Sequence, residues 1–135
     1  MSSDETLNLP VSVCMRRNPI TVSPSEPVTG LMFRMVDNDI GAVIVVDKDT
    51  RPVGIITERN VLERVLVPNL NVYQTRAKDV MSTPLISIES DRPIREALDL
   101  MRKQNIRRLA VTENNALVGL VTERRLLSGF LSQVY

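Results

Sequence analysis

The chain has 135 residues, 43% of them hydrophobic, and a formal net charge of +1. That is enough apolar material for one core-bearing domain, and the near-zero charge projects no field toward nucleic acid or a membrane surface. With no histidine and one cysteine, Cys14, the chain cannot form an internal disulfide, a Cys/His zinc site or a catalytic triad that needs His or Cys, so no catalytic residue and no metal ligand is assigned.

Aromatic residues are scarce, with two Phe, two Tyr and no Trp, so the core is aliphatic and no base-stacking platform is present. The N-terminal segment, residues 1–12, opens on a polar, acidic stretch unlike a secretory signal. No apolar run approaches the ~20 residues that span a bilayer, and a cytoplasmic location without membrane insertion is the default expectation. Cys14, between Val13 and Met15, reads as a small buried hydrophobe.

Ile20-Thr21-Val22 is a short alternating strand. Ser25 as a capping type and Pro27 in the first turn then announce a helix. Val28, Leu31, Met32, Met35 and Val36 follow the i, i+3, i+4, i+7, i+8 rule, which predicts that they face the core. The apolar runs Ala42–Val46 and Pro52–Ile56, joined by the polar turn Asp47–Arg51, form a hairpin. Asp47 and Asp49 read as solvated turn charge rather than a cation site. A second helix opens at Thr57, with Val61, Leu62 and Val65 on its apolar face. Residues 68–76 are a linker without a clear period. The same series follows again: Ile86-Ser87-Ile88, then Asp91 and Pro93 before a helix carrying Ile94, Ala97, Leu98 and Met101. A hairpin of Leu109–Val111 and Ala116–Val121 comes next, and a helix from Thr122 carries Leu126, Leu127 and Leu131.

The series is a duplication. Val53-Gly54-Ile55-Ile56-Thr57-Glu58-Arg59 returns as Val118-Gly119-Leu120-Val121-Thr122-Glu123-Arg124, displaced by 65 positions. Upstream, Met15, Pro27, Met35 and Ile40 return as Met81, Pro93, Met101 and Ile106, displaced by 66. The extra residue of the first copy falls in its hairpin turn. The expected class is α/β (α+β), with two β-α-β-β-α repeats at 13–67 and 77–135. Each repeat is too small to be stable alone, and two can bury their exposed sheet faces against each other.

Duplicated strand, helix, hairpin ending in Gly-x-x-Thr, and helix resemble the tandem cystathionine β-synthase (CBS) domain pair, or Bateman module. The likeness runs from about Val13 to Leu131. It implies one globular module with a pseudo-twofold axis and clefts between paired sheets. Such modules take adenine nucleotides, adenosine or S-adenosylmethionine, regulate a partner enzyme or transporter, and often form homodimers. No cofactor is required; the implied ligand is AMP, ADP, ATP or S-adenosylmethionine. Direct nucleic-acid binding is disfavoured, and the other reading open at this point is a dimerisation module with a vestigial cleft.

Thr57 and Thr122 stand at strand-to-helix junctions, where a hydroxyl caps the helix and an anion is favoured; capping alone also accounts for them. In the family the motif continues to an Asp that accepts from both ribose hydroxyls. Here Asn60 and Arg125 hold those positions. Asn keeps a carbonyl acceptor without charge, whereas Arg has donors only, so the two sites are expected to be unequal. The resemblance assigns Arg107 and Arg108 to phosphate, with Thr57 and Asn60 on ribose. Ile20, Thr21, Val22 and Ile55 would enclose the base, although sheet packing explains these four equally well. Ile86, Ser87, Thr122 and Arg125 would make the weaker second site. Arg16 and Arg17 read as solvated.

Overall fold

The computed structural model describes residues 1–134. In chain order the elements are α1 (Ser3–Leu7), a 3-10 turn (Val11–Val13), β1 (Arg16–Arg17), β2 (Thr21–Val22), α2 (Val28–Asn38), β3 (Ala42–Val46) and β4 (Pro52–Thr57). There follow α3 (Glu58–Val61), which runs into a π turn (Leu62–Leu66), α4 (Ala77–Val80), β5 (Ser87–Glu89), α5 (Ile94–Gln104), β6 (Arg108–Glu113), β7 (Ala116–Thr122) and α6 (Glu123–Val134). The duplicated β-α-β-β-α order is therefore observed, in a mixed α/β protein.

The starts of α2 and α5 differ from the expectation that Ser25 and Asp91 cap them. Pro27 and Pro93 themselves occupy the N-cap positions, and no side chain caps either helix. Backbone carbonyls from distant segments satisfy the free donors instead. Val28 N–H donates to Thr75 O at 2.9 Å, and Ile94 N–H to Leu9 O at 2.9 Å. Both helices end on a left-handed residue, Asp39 and Asn105, types whose short polar side chains tolerate that conformation.

Those distant segments reveal how the chain is partitioned. Its contacts form two compact units: Ile20–Leu85, and Met1–Pro19 together with the chain from Ile86 onward. In the first unit Ala77 N–H donates to Glu26 O and Lys78 N–H to Pro24 O, and Ser82 and Ile55 exchange both backbone bonds at 2.8 and 3.1 Å. In the second unit Val11 N–H donates to Arg92 O and Ser12 N–H to Ser90 O, while Arg16 and Arg17 pair with Leu120 and Gly119 of β7. Each helix-capping and flanking bond of one unit has its counterpart 65 or 66 positions away in the other. The segment that opens each repeat thus completes the sheet and core of the opposite repeat. The matched ranges of the duplication and the compact units consequently divide the chain differently.

Two glycines permit this exchange. A Cβ on Gly54 would stand 2.6 Å from Met81 Sδ and 3.1 Å from Ser82 O; a Cβ on Gly119 would stand 2.6 Å from Met15 Sδ and 3.0 Å from Arg16 O. The visiting methionine lies across the bare backbone in both units, so Gly is required for close approach rather than for conformational freedom.

The unit Ile20–Leu85 has a three-stranded sheet in the order β2-β3-β4. One face, carrying Val22, Val43, Val45 and Ile56, packs on Val28, Leu31 and Met35 of α2, on Val61 and Val65, and on Ala77 and Val80 of α4. The other unit has a four-stranded sheet, β1-β7-β6-β5. Ile88, Leu109, Val111 and Val121 pack there on Ile94, Ala97 and Met101 of α5, on Leu126 of α6, and on Val11, Cys14 and Met15. The hairpin turns differ as the missing residue requires. Asp47 Oδ1 accepts from the Asp49 and Arg51 backbone N–H groups, an Asx turn. Asn114 and Asn115 both take positive φ, the pattern of a two-residue type I′ turn.

Not every residue on the periodic stripes is buried. Val36 is 78% exposed, and Leu62, Leu98, Leu127 and Leu131 are exposed as well. Val36 and Leu62 border a groove of about 390 Å³ with Met32, Met35 and Leu66. In the other unit Leu98 and Leu127 border a corresponding groove with Leu7 and Phe130. Among the described residues, no helix is long and apolar enough to cross a membrane.

Candidate functional site

Each sheet has a second face, opposite its helices. Pairing register places Thr21, Ile44 and Ile55 side by side on that face of the first unit, with Ala42 beside Thr57 at its end. In the second unit Arg16, Leu120, Ala110 and Ser87 lie in one row across the four strands, and Thr122 and Arg108 are the next pair along. Thr21, Ile55 and Thr57 are thus brought together in one unit, and Ser87, Thr122 and Arg108 in the other.

Val22 points the opposite way. It is 3% exposed within the helix-packed core, so only its backbone can meet a ligand. Ile20 and Ile86 are also packed against the cores. They present carbonyls that accept from Ile44 N–H and Ala110 N–H. Those bonds are the parallel pairing that fixes each leading strand.

At the end of β4, Thr57 and Asn60 form a reciprocal capping box. Asn60 N–H donates to Thr57 Oγ1 at 3.1 Å, and Thr57 N–H donates to Asn60 Oδ1 at 3.0 Å. The Ser82 hydroxyl approaches the same Oδ1 at 3.4 Å. The carbonyl expected to accept from ribose therefore already serves two donors. What Asn60 still offers is its amide NH₂, and Thr57 keeps its hydroxyl proton. At the end of β7 the cap is one-sided: Thr122 Oγ1 accepts from Arg125 N–H at 3.1 Å. The Arg125 side chain, a donor only, returns nothing to the Thr122 backbone.

The two strand ends also differ in charge. Glu58 N–H donates to Gly41 O, and Glu123 N–H to Arg107 O, so these pairs are equivalent. The space a side chain on Gly41 would fill holds the Glu58 carboxylate, 3.1 Å from where that Cβ would stand. The equivalent positions in the other unit are held by Arg107, which is exposed, and Arg108, which is half-buried. Arg59, the counterpart of Arg124, is tied to Glu63 at 2.9 Å.

Two residues outside the expected set shape the first unit's site. Arg34 donates to Thr21 O at 2.7 Å and pairs with Glu26 at 2.8 Å, pinning the leading strand and engaging a carbonyl that a base could have used. Ser82 bears on Asn60 from the exchanged segment. Its signal was in the repeat: Met15 matches Met81, so Arg16 matches Ser82. Cys14 is buried, and burial raises its thiol pKa against the smaller lowering effect of Arg125. Among the described residues no cluster of His, Cys, Asp or Glu could hold a metal ion.

A family model described as "CBS domain" matches residues 11–67 and 77–132. An uncharacterized protein of Methanopyrus kandleri is 38% identical over 113 residues, 83% of this chain and 58% of the relative. The chain spans 30% and 64% of the length of two relatives from Methanocaldococcus jannaschii. A crystal structure of a conserved protein from Pyrococcus horikoshii is 29% identical, with a TM-score of 0.77 over 90% of this chain and 92% of that one. A protein from Pyrobaculum aerophilum complexed with AMP is 23% identical, with a TM-score of 0.76 over 92% and 99% of the two chains; that likeness is one of fold.

Proposed function

Because the chain belongs to the CBS-domain family, we propose that it is a regulatory module without catalytic activity of its own, binding an adenine nucleotide or adenosyl compound in the cytoplasm and signalling to a partner enzyme or transporter. The observation that carries this reading is the half-buried Thr57–Asn60 turn at the end of a helix-backed strand, whose cap leaves the Thr57 hydroxyl proton and the Asn60 amide NH₂ as donors. The ligand in the Pyrobaculum relative is AMP, which fits the same class. Thr57, Asn60, Thr21 and Ile55 are assigned to the nucleoside, and Arg107 and Arg108 to phosphate. Ser87, Thr122 and Arg125 are assigned to a poorer second site. Signal can arise only if the ligand prefers one of two states of the module.

Calorimetry on ligand-free protein with AMP, ADP, ATP and S-adenosylmethionine tests the reading, and absence of binding below about millimolar for all four removes it. Asn60→Asp sharpens the test. One carboxylate oxygen can keep the Thr57 cap while the other accepts from ribose, and charge-assisted bonds are worth about 1.5–3 kcal/mol. AMP is expected to bind at least ~10-fold more tightly to this variant. Unchanged affinity would place the ribose elsewhere.

A second reading, a dimerisation module with a vestigial cleft, is favoured by the engaged Asn60 carbonyl. Self-association itself is proposed under both readings. The exposed apolar face recurs at matching positions, Leu62 with Leu127 and Leu66 with Leu131, and a second copy presents the same face in return. Leu62→Glu with Leu127→Glu is expected to give a monomer by sedimentation. A monomeric parent protein, or a variant that still pairs, would remove this face as the interface.

A further inference from the structure

We infer that the groove between α2 and the α3–π segment docks a basic amphipathic helix from a partner protein. Such a partner is what the regulatory reading requires, so the docking site rests on that reading for its purpose and not on nucleotide binding.

The groove, of about 390 Å³, is lined by Met32, Val36 and Asp39 along α2 and by Glu58, Leu62 and Leu66 along the segment opposite. Met32 to Asp39 spans about 10 Å, or two helical turns. Both carboxylates stand at one end. Glu58 N–H bonds to Gly41 O, two residues beyond Asp39, and the Glu58 side chain lies over Gly41. Neither carboxylate makes an ion pair among the described residues. The arginines of these helices are engaged elsewhere: Arg34 with Glu26, Arg59 with Glu63, and Arg64 with Val80 O. An apolar trough with an acidic end complements a helix that carries apolar side chains at i, i+4 and i+7 and a lysine or arginine beside the last.

The second unit shows what kind of element fits. There α1 packs on α5 and α6, its Leu7 lines the corresponding groove with Leu98 and Leu127, and its Asp4 pairs with Arg95 of α5 at 2.8 Å. The first unit has no helix at the matching positions, 69–73, and Tyr73, the counterpart of Leu7, is 72% exposed. The charges are reversed as well: acidic α1 meets a cation, whereas the open groove itself is acidic. Its α2 flank is also apolar where α5 is charged. Exposed Phe33 and Val36 stand where α5 has Asp99 and Arg102, which pair at 3.8 Å. The same face of a second copy would set carboxylate against carboxylate without a free cation, and α1 of another copy would bring Asp4 and Glu5. A partner helix of opposite charge satisfies both the trough and its end. Because it covers Leu62 and Leu66, it competes with self-association through those leucines.

The test is fluorescence anisotropy on the full chain with a labelled peptide of about 15 residues, long enough to form a helix on a surface. It carries leucine at i, i+4 and i+7 with lysine flanking the last, and a control peptide carries glutamate in place of lysine. The lysine peptide is expected to bind saturably, at least ~10-fold more tightly than the control, and to weaken with salt. Asp39→Asn with Glu58→Gln is expected to erase that preference; Asn tolerates the left-handed backbone at position 39. Val36→Arg installs the second unit's residue at an exposed position and is expected to weaken the lysine peptide at least ~10-fold. Leu98→Arg, in the other groove, is expected to leave it unchanged. All variants are checked for unchanged melting. Equal binding of the two peptides, or saturable binding of neither, overturns the docking site, and so does loss through Leu98→Arg instead of Val36→Arg. If Val36→Arg turns a dimer into a monomer while the parent protein ignores the lysine peptide, a second copy fills the groove and no partner helix does. Nucleotide calorimetry succeeds or fails independently of all these results.

Discussion

A chain shortened to begin at Ile20 is expected to lose the fold of its second repeat, although every residue removed lies in or before the start of the first. The deletion takes Val11, Cys14 and Met15 out of the core that holds Ile94, Leu109 and Val121. It strips β1 from the edge of β7, and it orphans the first donor of α5 by removing Leu9 O. Three buried apolar side chains at about 1.5–3 kcal/mol each amount to roughly 5–9 kcal/mol. That is comparable with the whole stability of an ordinary domain, about 5–15 kcal/mol. Hydrogen exchange read residue by residue is the measurement. Protection should vanish first across 86–134, and a synthetic peptide of residues 1–19 should restore it. Loss concentrated instead in 20–85 would mean that the exchanged segments do not pair as described.

The second large effect is expected at the two bare-backbone crossings. Gly119→Ala forces a methyl against Met15 Sδ and Arg16 O, and Gly54→Ala does the same against Met81 Sδ and Ser82 O. The thioethers can swing aside and the carbonyls cannot, so each substitution should cost about 2–3 kcal/mol, on the order of 10 °C in Tm. Pairing each with truncation of its methionine gives a sharper result. Gly119→Ala with Met15→Ala, and Gly54→Ala with Met81→Ala, should cost less than the sum of the single changes by at least ~0.5 kcal/mol, because the clash and the cavity relieve each other. The crossed combinations, Gly119→Ala with Met81→Ala and Gly54→Ala with Met15→Ala, should add. Additivity in the matched pairs would contradict the exchange.

Periodicity and turn chemistry made the elements legible, because β-branched runs, prolines and the offset of 65 or 66 act over a few residues. Partnership between elements was not legible, and the reason is the duplication itself. Val53-Gly54-Ile55 and Val118-Gly119-Leu120 offer nearly identical edges, so nothing in Met15-Arg16-Arg17 says which one it will join. The helices α1 and α4, of 5 and 4 residues, are too short for a period to show and exist only through tertiary docking. Val36 satisfied the helical rule yet faces the open groove beside Leu62, while its neighbour Met35 packs in the core. The Asn60 carbonyl looked free because Thr-x-x-Asn was weighed as a binding motif; three-residue spacing from a capping threonine was the sign that its backbone would claim it. The contrast between Gly41 and Arg107 could be read directly from the aligned repeats, but the Glu58 carboxylate filling the glycine's place could not.

The exchanged segments also impose a waiting time at birth. Residues 9–17 leave the ribosome roughly a hundred positions ahead of β7, which at about 5–20 residues per second is some 5–20 s during which β4 has already been made and presents a look-alike edge. Until Met81 and Ser82 arrive to claim that edge, it is open to Met15 and Arg16. Nascent chains stalled shortly after Thr57 would therefore hold the first segment in a pairing that the finished protein abandons.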